Sequence, residues 1–356
     1  MASLGWDIGG AHVKAAVVNQ AGEITGIYQQ PCPLWKGLEH LRQAVNAIMQ
    51  ALPQGQYRHA ITMTGELVDL FAGREDGVRQ IINTMGQLLS NDGLLIFAGQ
   101  YGLLGISQID AKHYQAIASL NWLASAQFAA QKTGNGLFVD IGSTTTDILL
   151  CSEGKVLAKG YTDYQRLISR ELVYTGIVRT AVMAVAQTAL DGDQDIGIMA
   201  EYFATMADVY RLTGELDEAH DQTETADGAG KTLHASARRL ARMIGCDFYP
   251  DAVPRWQQFA ENIRFQQLQK IKTACGHVAT PENFPKNSPL IGAGVGRFLI
   301  KELAQQLDHP YLDFSDLCVC SVTPTGMSPA DCAPAVSVAH FLLDVPSIFH
   351  RHLHKS

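Results

Sequence analysis

An α/β chain of two domains facing each other across a cleft is what the 356-residue sequence predicts, and three observations carry the prediction. The length exceeds what one hydrophobic core comfortably organises, so two domains of ordinary size are expected. Short apolar runs of strand character alternate with amphipathic stretches of helical period. The first hairpin of the chain also recurs. Asp7-Ile8-Gly9-Gly10 near the start is matched by Asp140-Ile141-Gly142-Ser143 at a constant offset of 133 positions. One such hairpin is a turn; two, each opening a domain-sized stretch, indicate an internal repeat.

Composition narrows the class. The chain is 47% hydrophobic and 17% charged, with a formal charge of -8 and a pI near 5.8. No basic stripe is available to neutralise a nucleic-acid backbone, so nucleic acid is not an expected partner and anion sites must be local. No run approaches the roughly 18 apolar residues of a membrane span. Seven scattered cysteines are not a secreted disulfide framework, and the first residues lack a charged and then apolar leader, which points to the cytoplasm. Small-molecule substrates are the expected partners, and a homodimer is compatible with the composition.

The elements follow in order. Residues 4–18 read as strand, turn and strand, and 23–28 as a third strand completing a meander. A helix is expected over 38–52, with Leu38, Leu41, Val45, Ile48, Met49 and Leu52 on one face. Residues 58–63 read as a strand running into Thr64-Gly65-Glu66-Leu67; that polar end either faces the cleft or caps the following helix, the second being the blander reading. A helix within 73–89, a strand at 94–98 and a small-residue helix from Asn121 complete the first domain. The polar stretch 131–135 marks the boundary. Domains are therefore expected at 1–130 and 131–330, with 331–356 as a C-terminal helix and tail.

The second domain begins with the strand 136–139. It ends in Asp140, a tight turn and the hydroxyls of Ser143, Thr144, Thr145 and Thr146, and the β pattern resumes after Asp147. Gly142 can take backbone angles closed to other residues, and small neighbours leave N–H groups open to an anion. Taken alone, a phosphate cradle and a plain polar turn are equal readings. A third strand is expected at 155–158 and an alanine-rich helix at 181–190. The acidic segment 191–195 is a solvated loop or, less readily, a cation site. Residues 199–212 read as a helix carrying Glu201 and Asp208, 217–231 as a polar loop able to act as a lid, 238–243 as a helix with cationic residues near its C-terminal end, and 255–275 as a long amphipathic helix. Gly292-Ala293-Gly294 and Gly296 turn a strand into a helix over 298–307, an arrangement that suits a nucleotide or phosphate without matching the dinucleotide fingerprint. Cys318, Cys320 and Cys332 fit no common zinc spacing, and His350, His352 and His354 resemble a frayed tail.

Two Asp-X-Gly hairpins with a late glycine loop resemble the actin, sugar kinase and Hsp70 superfamily. The residues 139–147 and 171–176 resemble its hydantoinase A and oxoprolinase branch. A narrower match lies in Gly5-Trp6-Asp7-Ile8-Gly9-Gly10-Ala11-His12, Met63-Thr64-Gly65-Glu66-Leu67, Phe203-Ala204-Thr205-Met206-Ala207-Asp208-Val209-Tyr210, Ala226-Asp227-Gly228 and 238–245. These are similar to the tetrahydromethanopterin-linked C1-transfer pathway proteins of methylotrophs and methanogens, over most of the chain to about Gly294. The resemblance implies two ribonuclease-H-like domains around a central cleft, as in actin- and hexokinase-type ATPases. It also implies a step of methanofuran or methylofuran assembly, in which an aminomethylfuran diphosphate is joined to the phenol of a tyramine-type acceptor with loss of diphosphate.

Such chemistry needs cations and aligned N–H groups where negative charge grows. The expected phosphate contacts are Gly9, Gly10, Lys14, Gly142, Ser143, Thr144 and Thr145, with Mg2+ near Asp7 and Asp140. Gly292, Ala293, Gly294 and Gly296 form the expected nucleotide loop if ATP is bound. A phenol nucleophile also needs a general base, for which Glu66 is the first choice and Asp147 the second. Ala11 stands where sugar kinases commonly carry Thr, and Lys14 where the second hairpin carries Asp147, which weakens simple phosphoryl transfer from ATP. The alternatives are an ATP-dependent amidohydrolase or small-molecule kinase and, further off, a nucleotide-gated regulator.

Overall fold

The computed structural model describes residues 1–89, 93–280, 282–321 and 326–346. The first sheet opens with β1 (Ala2–Ile8), β2 (His12–Val18) and β3 (Glu23–Pro31), an antiparallel meander. After helix α1 (Leu38–Ala51), strand β4 (Tyr57–Met63) lies parallel to β1 on its other side. Helix α2 (Arg74–Leu89) leads to β5 (Leu94–Phe97), parallel to β4, and to the antiparallel edge β6 (Leu103–Gly105). Helices α3 (Ala111–Ile117) and α4 (Asn121–Thr133) follow. Alternation along β2 shows why the sheet is buried on both faces: Val13, Ala15 and Val17 pack under α1 and α2, while Ala16 and Val18 face a second core around α4.

The chain leaves α4 at Gly134 and enters a second sheet through β7 (Gly136–Ile141), β8 (Thr146–Ser152) and β9 (Lys155–Val156). Helix α5 (Asp163–Ser169) and the edge strand β10 (Leu172–Val173) follow. The expected helix at 181–190 does not form. Residues Val182–Val185 make a single turn, α6, and β11 (Thr188–Asp191) and β12 (Gln194–Gly197) form a separate hairpin. Alanine content favoured a helix there, but Gly192 has φ 62 at the tip of a two-residue turn, and burial alternates with Ala189 inside and Leu190 outside. Asp191 pairs with Arg255 at 2.5 Å, so the acidic segment is a hairpin tip tied to a helix and not a cation site.

Helix α7 (Met206–Thr213) starts seven residues later than expected because Thr205 and Asp208 form a capping box, leaving Glu201 outside it and exposed. Helices α8 (Leu233–Arg242) and α9 (Val253–Val278), strand β13 (Leu290–Ala293), helix α10 (Arg297–Leu307) and strand β14 (Tyr311–Asp313) complete the second unit. β13 runs parallel to β7, giving the order β10-β8-β7-β13-β14, the same plan as β3-β2-β1-β4-β5. Both units are thus ribonuclease-H-like. The expected lid, 217–231, is pinned: Asp221 holds Arg211 at 2.7 Å and Lys231 at 3.1 Å, and Asp227 holds Arg239 and Arg242 at 3.0 Å. No helix among the described residues is long and apolar enough to cross a membrane.

Strand β15 (Val319–Cys320) returns to the first sheet beside β3, and helix α11 (Ala333–Phe341) packs on β1. Gly5 permits that approach, since a Cβ there would stand 2.0 Å from the Ala335 carbonyl oxygen. Helices α4 and α11 share the core between the two sheets, where Phe314 meets Phe128 and Phe138. His350, His352 and His354 lie outside the described residues.

Candidate active site

The two hairpins close in the same register. Asp7 faces Lys14 and Ile8 faces Val13 in the first; Asp140 faces Asp147 and Ile141 faces Thr146 in the second. Gly9 N–H donates to His12 O at 2.9 Å, and Gly142 N–H to Thr145 O at 2.9 Å. Gly142 does this without a left-handed φ, so the turn does not require the conformational freedom expected of it. Each tip is then buttressed by a passing segment. Leu34 N–H and Cys32 N–H bind the carbonyls of Gly10 and Ala11, while Ile177 N–H and the amides of Val178 and Arg179 bind those of Gly142 and Ser143. With their carbonyls held from behind, the amides of Gly10, Ala11, Ser143 and Thr144 have no protein acceptor among the described residues, and all four residues line one cavity of about 390 Å3. Ser143 Oγ is buried there without a partner. That is the donor-lined concavity an anion requires.

Cations complete it. Lys14 donates to the Asp331 carbonyl at 2.6 Å. Burial opposes its charge, but Cys332, Asp7, Asp140 and Asp331 around it raise its pKa above the ordinary lysine value. Arg179 lines the cavity and lies over the Trp35 ring. Arg166, fully buried, stacks 3.9 Å over Trp122, gives Asp147 a 2.7 Å hydrogen bond and leaves its Nε without a partner. Burial raises Asp147, and Arg166 restrains the rise. His12, also on the wall, is pushed down to about 4 by burial and by Lys14 and Arg179, so its imidazole is neutral near pH 7.

Asp7 is raised to about 6 by burial, against the pull of Lys14 and of Asn121, whose amide lies 3.3 Å away. Asp140 is raised to about 7 by burial and by the charge of Asp147. Asp7 lines the cavity, whereas Asp140 is not among its wall residues and stands behind them, near Gly294. Two carboxylates, Asp7 buried and Asp140 half-buried, beside open N–H groups suit a Mg2+ that takes one or two protein carboxylates and completes its shell with phosphate and water. Among the described residues no three His, Cys, Asp or Glu side chains converge to hold a metal by themselves.

The turn after β4 faces the cleft instead of merely capping a helix. Thr64 and Leu67 line the cavity, and Glu66 between them is buried. Ser119 Oγ donates to Glu66 Oε1 at 2.5 Å, Glu66 Oε2 has no partner, and burial pushes the carboxyl up to about 7. Glu66 does not reach the cavity itself. Ser119 does, from a left-handed backbone at φ 53.

The glycine loop behaves differently from the hairpins. Gly294 N–H donates to Ala330 O at 2.8 Å and Gly296 N–H to Ile141 O at 2.9 Å. A Cβ on Gly294, at φ 76, would sit 2.3 Å from Asp140 Oδ1. None of Gly292, Ala293, Gly294 and Gly296 lines the described cavity; the loop clamps the second hairpin from behind. Cys332 is buried beside Lys14 and pushed up to about 12, and no disulfide joins Cys318, Cys320 and Cys332. His12, Ser119, Asn121, Trp122, Arg166 and Arg179 join the wall in addition to the residues expected there. Only His12, inside the first hairpin motif, carried a local signal.

A model of the hydantoinase/oxoprolinase family matches residues 58–335. Over 300 residues the chain is 29% identical to the (4-{4-[2-(gamma-L-glutamylamino)ethyl]phenoxymethyl}furan-2-yl)methanamine synthase of Methanocaldococcus jannaschii, covering 84% of this chain and 87% of that protein. The protein of the same name from Methanococcus vannielii is 32% identical over 123 residues, 34% of this chain and 55% of its own length. Among solved structures, nucleotide-free acetone carboxylase aligns with a TM-score of 0.56 at 11% identity, over 95% of this chain and 70% of that one, a likeness of fold alone.

Proposed function

The chain belongs to the hydantoinase/oxoprolinase family, and from that premise we propose that it is a transferase of methylofuran- or methanofuran-type cofactor biosynthesis. The reaction proposed joins an aminomethylfuran diphosphate to the phenol of a tyramine- or tyrosine-type acceptor. The relatives' name describes such a product, an aryl ether between the phenol of a γ-glutamylated tyramine and a methylene carbon on position 4 of the furan. The observation that carries the reading is the shared cavity. Two hairpin tips with unspent amides line it together with Lys14, Arg166, Arg179 and Ser119, the last backed by Glu66.

In the proposed reaction the diphosphate binds the amides of Gly10, Ala11, Ser143 and Thr144, with Lys14, Arg166 and Arg179 as counter-charges. As the bond between the furan methylene carbon and the diphosphate oxygen breaks, charge grows on the leaving oxygen, and preorganised donors stabilise that state more than the ground state. The phenol oxygen forms the new bond to that methylene carbon. Its proton passes to Ser119 Oγ while Ser119 gives its own proton to Glu66, whose carboxyl is tuned near neutrality. Asp147 is already engaged by Arg166 and serves to orient it. Mg2+, when bound, would be held by Asp7 and Asp140 and would add positive charge beside the diphosphate.

Purified protein supplied with the furan diphosphate, a tyramine or γ-glutamyltyramine acceptor and Mg2+ should release diphosphate and form the aryl ether. Folded protein that releases none with any acceptor would refute the reading. The second reading, an ATP-dependent amidohydrolase or kinase, draws on the matched hairpins and requires acceptor-dependent formation of ADP; calorimetry showing no ATP binding removes it.

A further inference from the structure

A second cavity, of about 410 Å3, lies back to back with the first. The partition between them is short. Ser119 and Trp122 face the first cavity and Leu120 the second; on α5 and just before it, Asp163 and Arg166 face the first, and Tyr161, Thr162 and Gln165 the second. The rings of Trp122 and Tyr161, one from each side, have centroids 6.4 Å apart. Both sequence halves contribute, so the second cavity, like the first, sits between the two domains.

Its chemistry is uniform. Among the described residues Lys112 is the charged member of the wall and no Asp or Glu lines it; the amides of Gln100, Gln115 and Gln165, the rings of Tyr101 and Tyr161, and Ala116, Leu120 and Thr162 supply the rest. Gln165 Oε1 already accepts from the amides of Tyr161 and Thr162, which fixes the side chain and leaves its NH2 unspent. Tyr101 packs edge-on against His113, which holds the rim. Lys112 pairs loosely with the exposed Asp110 at 3.3 Å, a contact that a better-placed carboxylate can displace. One cation, several amide donors and two aromatic rings suit a carboxylate-bearing, amide-containing arm, not a second phosphate, for which further cations would be expected.

We propose that this cavity binds the amino-acid arm of the acceptor, an amide-linked group ending in a carboxylate and an ammonium, with Lys112 on the carboxylate, its former partner Asp110 beside the ammonium, and Gln115 and Gln165 on the amide. The phenol at the other end of the same molecule then reaches Ser119 past the partition. This rests on the transferase reading above, because it takes the acceptor phenol to lie in the first cavity.

Calorimetry of the full-length protein with γ-glutamyltyramine and with tyramine, in the presence of diphosphate, tests it. The wild-type protein is expected to prefer γ-glutamyltyramine, and Lys112→Glu to reduce that preference about tenfold or more, the loss of a charge-assisted hydrogen bond and its reversal. Gln165→Ala is the second variant and should reduce it in the same direction. An unchanged preference in both folded variants, or no wild-type preference for the glutamyl compound, overturns the proposal. Diphosphate release by the wild type, measured alongside, separates the two claims. A Lys112-dependent preference without turnover would count against the transferase reading alone, and turnover without that preference would count against the second site alone.

Discussion

Ser119 and Glu66 are 53 positions apart in the chain, yet the serine hydroxyl donates to the buried carboxylate at 2.5 Å and is the member of the pair that meets the cavity. The acid is thereby shielded from solvent and still connected to it by one hydroxyl. Glu66→Gln should lower kcat by about 100-fold or more, within the range ascribed to general base catalysis. In the wild type, kcat should rise with pH through about 7 as Glu66 loses its proton. Ser119→Ala should flatten the same limb. A pH profile unchanged in both variants would remove the relay.

Arg166 is wedged between Trp122 and Asp147, buried on nearly every side. Removing one partner of such a pair leaves the other charge uncompensated. Arg166→Ala should cost about 3–5 kcal/mol in denaturant unfolding. Asp147→Asn keeps a hydrogen-bond acceptor for the guanidinium and should cost less. An Asp147→Asn variant as stable as the wild type, beside a full loss in Arg166→Ala, would mean that the stacking on Trp122, and not the pair, carries the effect.

The parts of this site that were legible in the sequence are the local ones. Asp7, Gly9, Gly10, Lys14, Ser143, Thr144 and Thr145 lie within two short hairpins, and register follows directly from a turn, so the repeat exposed both strand order and these wall residues, while Asp140 and Gly142 of the same motif stand off the wall. Arg166, Ser119 and Asn121 were silent because their partners, Asp147, Glu66 and Asp7, are 19, 53 and 114 positions away and only tertiary packing joins them. Residues 181–190 misled for another reason: alanine propensity is a weak prior, and the Gly192 turn with its alternating neighbours overrode it. A glycine-rich turn before a helix, in turn, reads the same whether its amides face a ligand or, as with Gly294 and Gly296, the protein's own carbonyls.

Gly294→Ala tests that clamp. The residue has φ 76, and an added methyl would collide with Asp140 Oδ1 and with the Ile141 carbonyl oxygen, standing 2.3 Å from each. Left-handed backbone strain of about 1 kcal/mol is the smaller part; displacement of the second hairpin adds to it, for a total of roughly 2–4 kcal/mol. Thermal unfolding should show the loss together with weaker diphosphate binding. A variant as stable as the wild type would mean that the loop moves freely from the hairpin.

The carboxylates of Asp7 and Asp140 make stability depend on pH in an unusual direction. Asp7 and Asp140 have folded pKa values raised to about 6 and about 7, above the ordinary carboxylate value near 3.8, because burial disfavours their charged forms. Between these limits the folded state holds more protons than the unfolded chain, so their contribution is fully present below about pH 4 and is lost as pH rises through 6 to 7. Asp7→Asn and Asp140→Asn should therefore stabilise the protein at pH 8, on the order of 2 kcal/mol each, and leave it little changed at pH 4. The same reasoning fixes the response to a ligand cation. If Mg2+ binds these carboxylates, it should raise the melting temperature more at pH 8 than at pH 5, where protons compete for the same oxygens. Both asparagine variants should lose that increment. A Mg2+ effect equal at the two pH values, or one surviving in the double variant, would place the ion elsewhere and leave Lys14 as the principal counter-charge to these two aspartates.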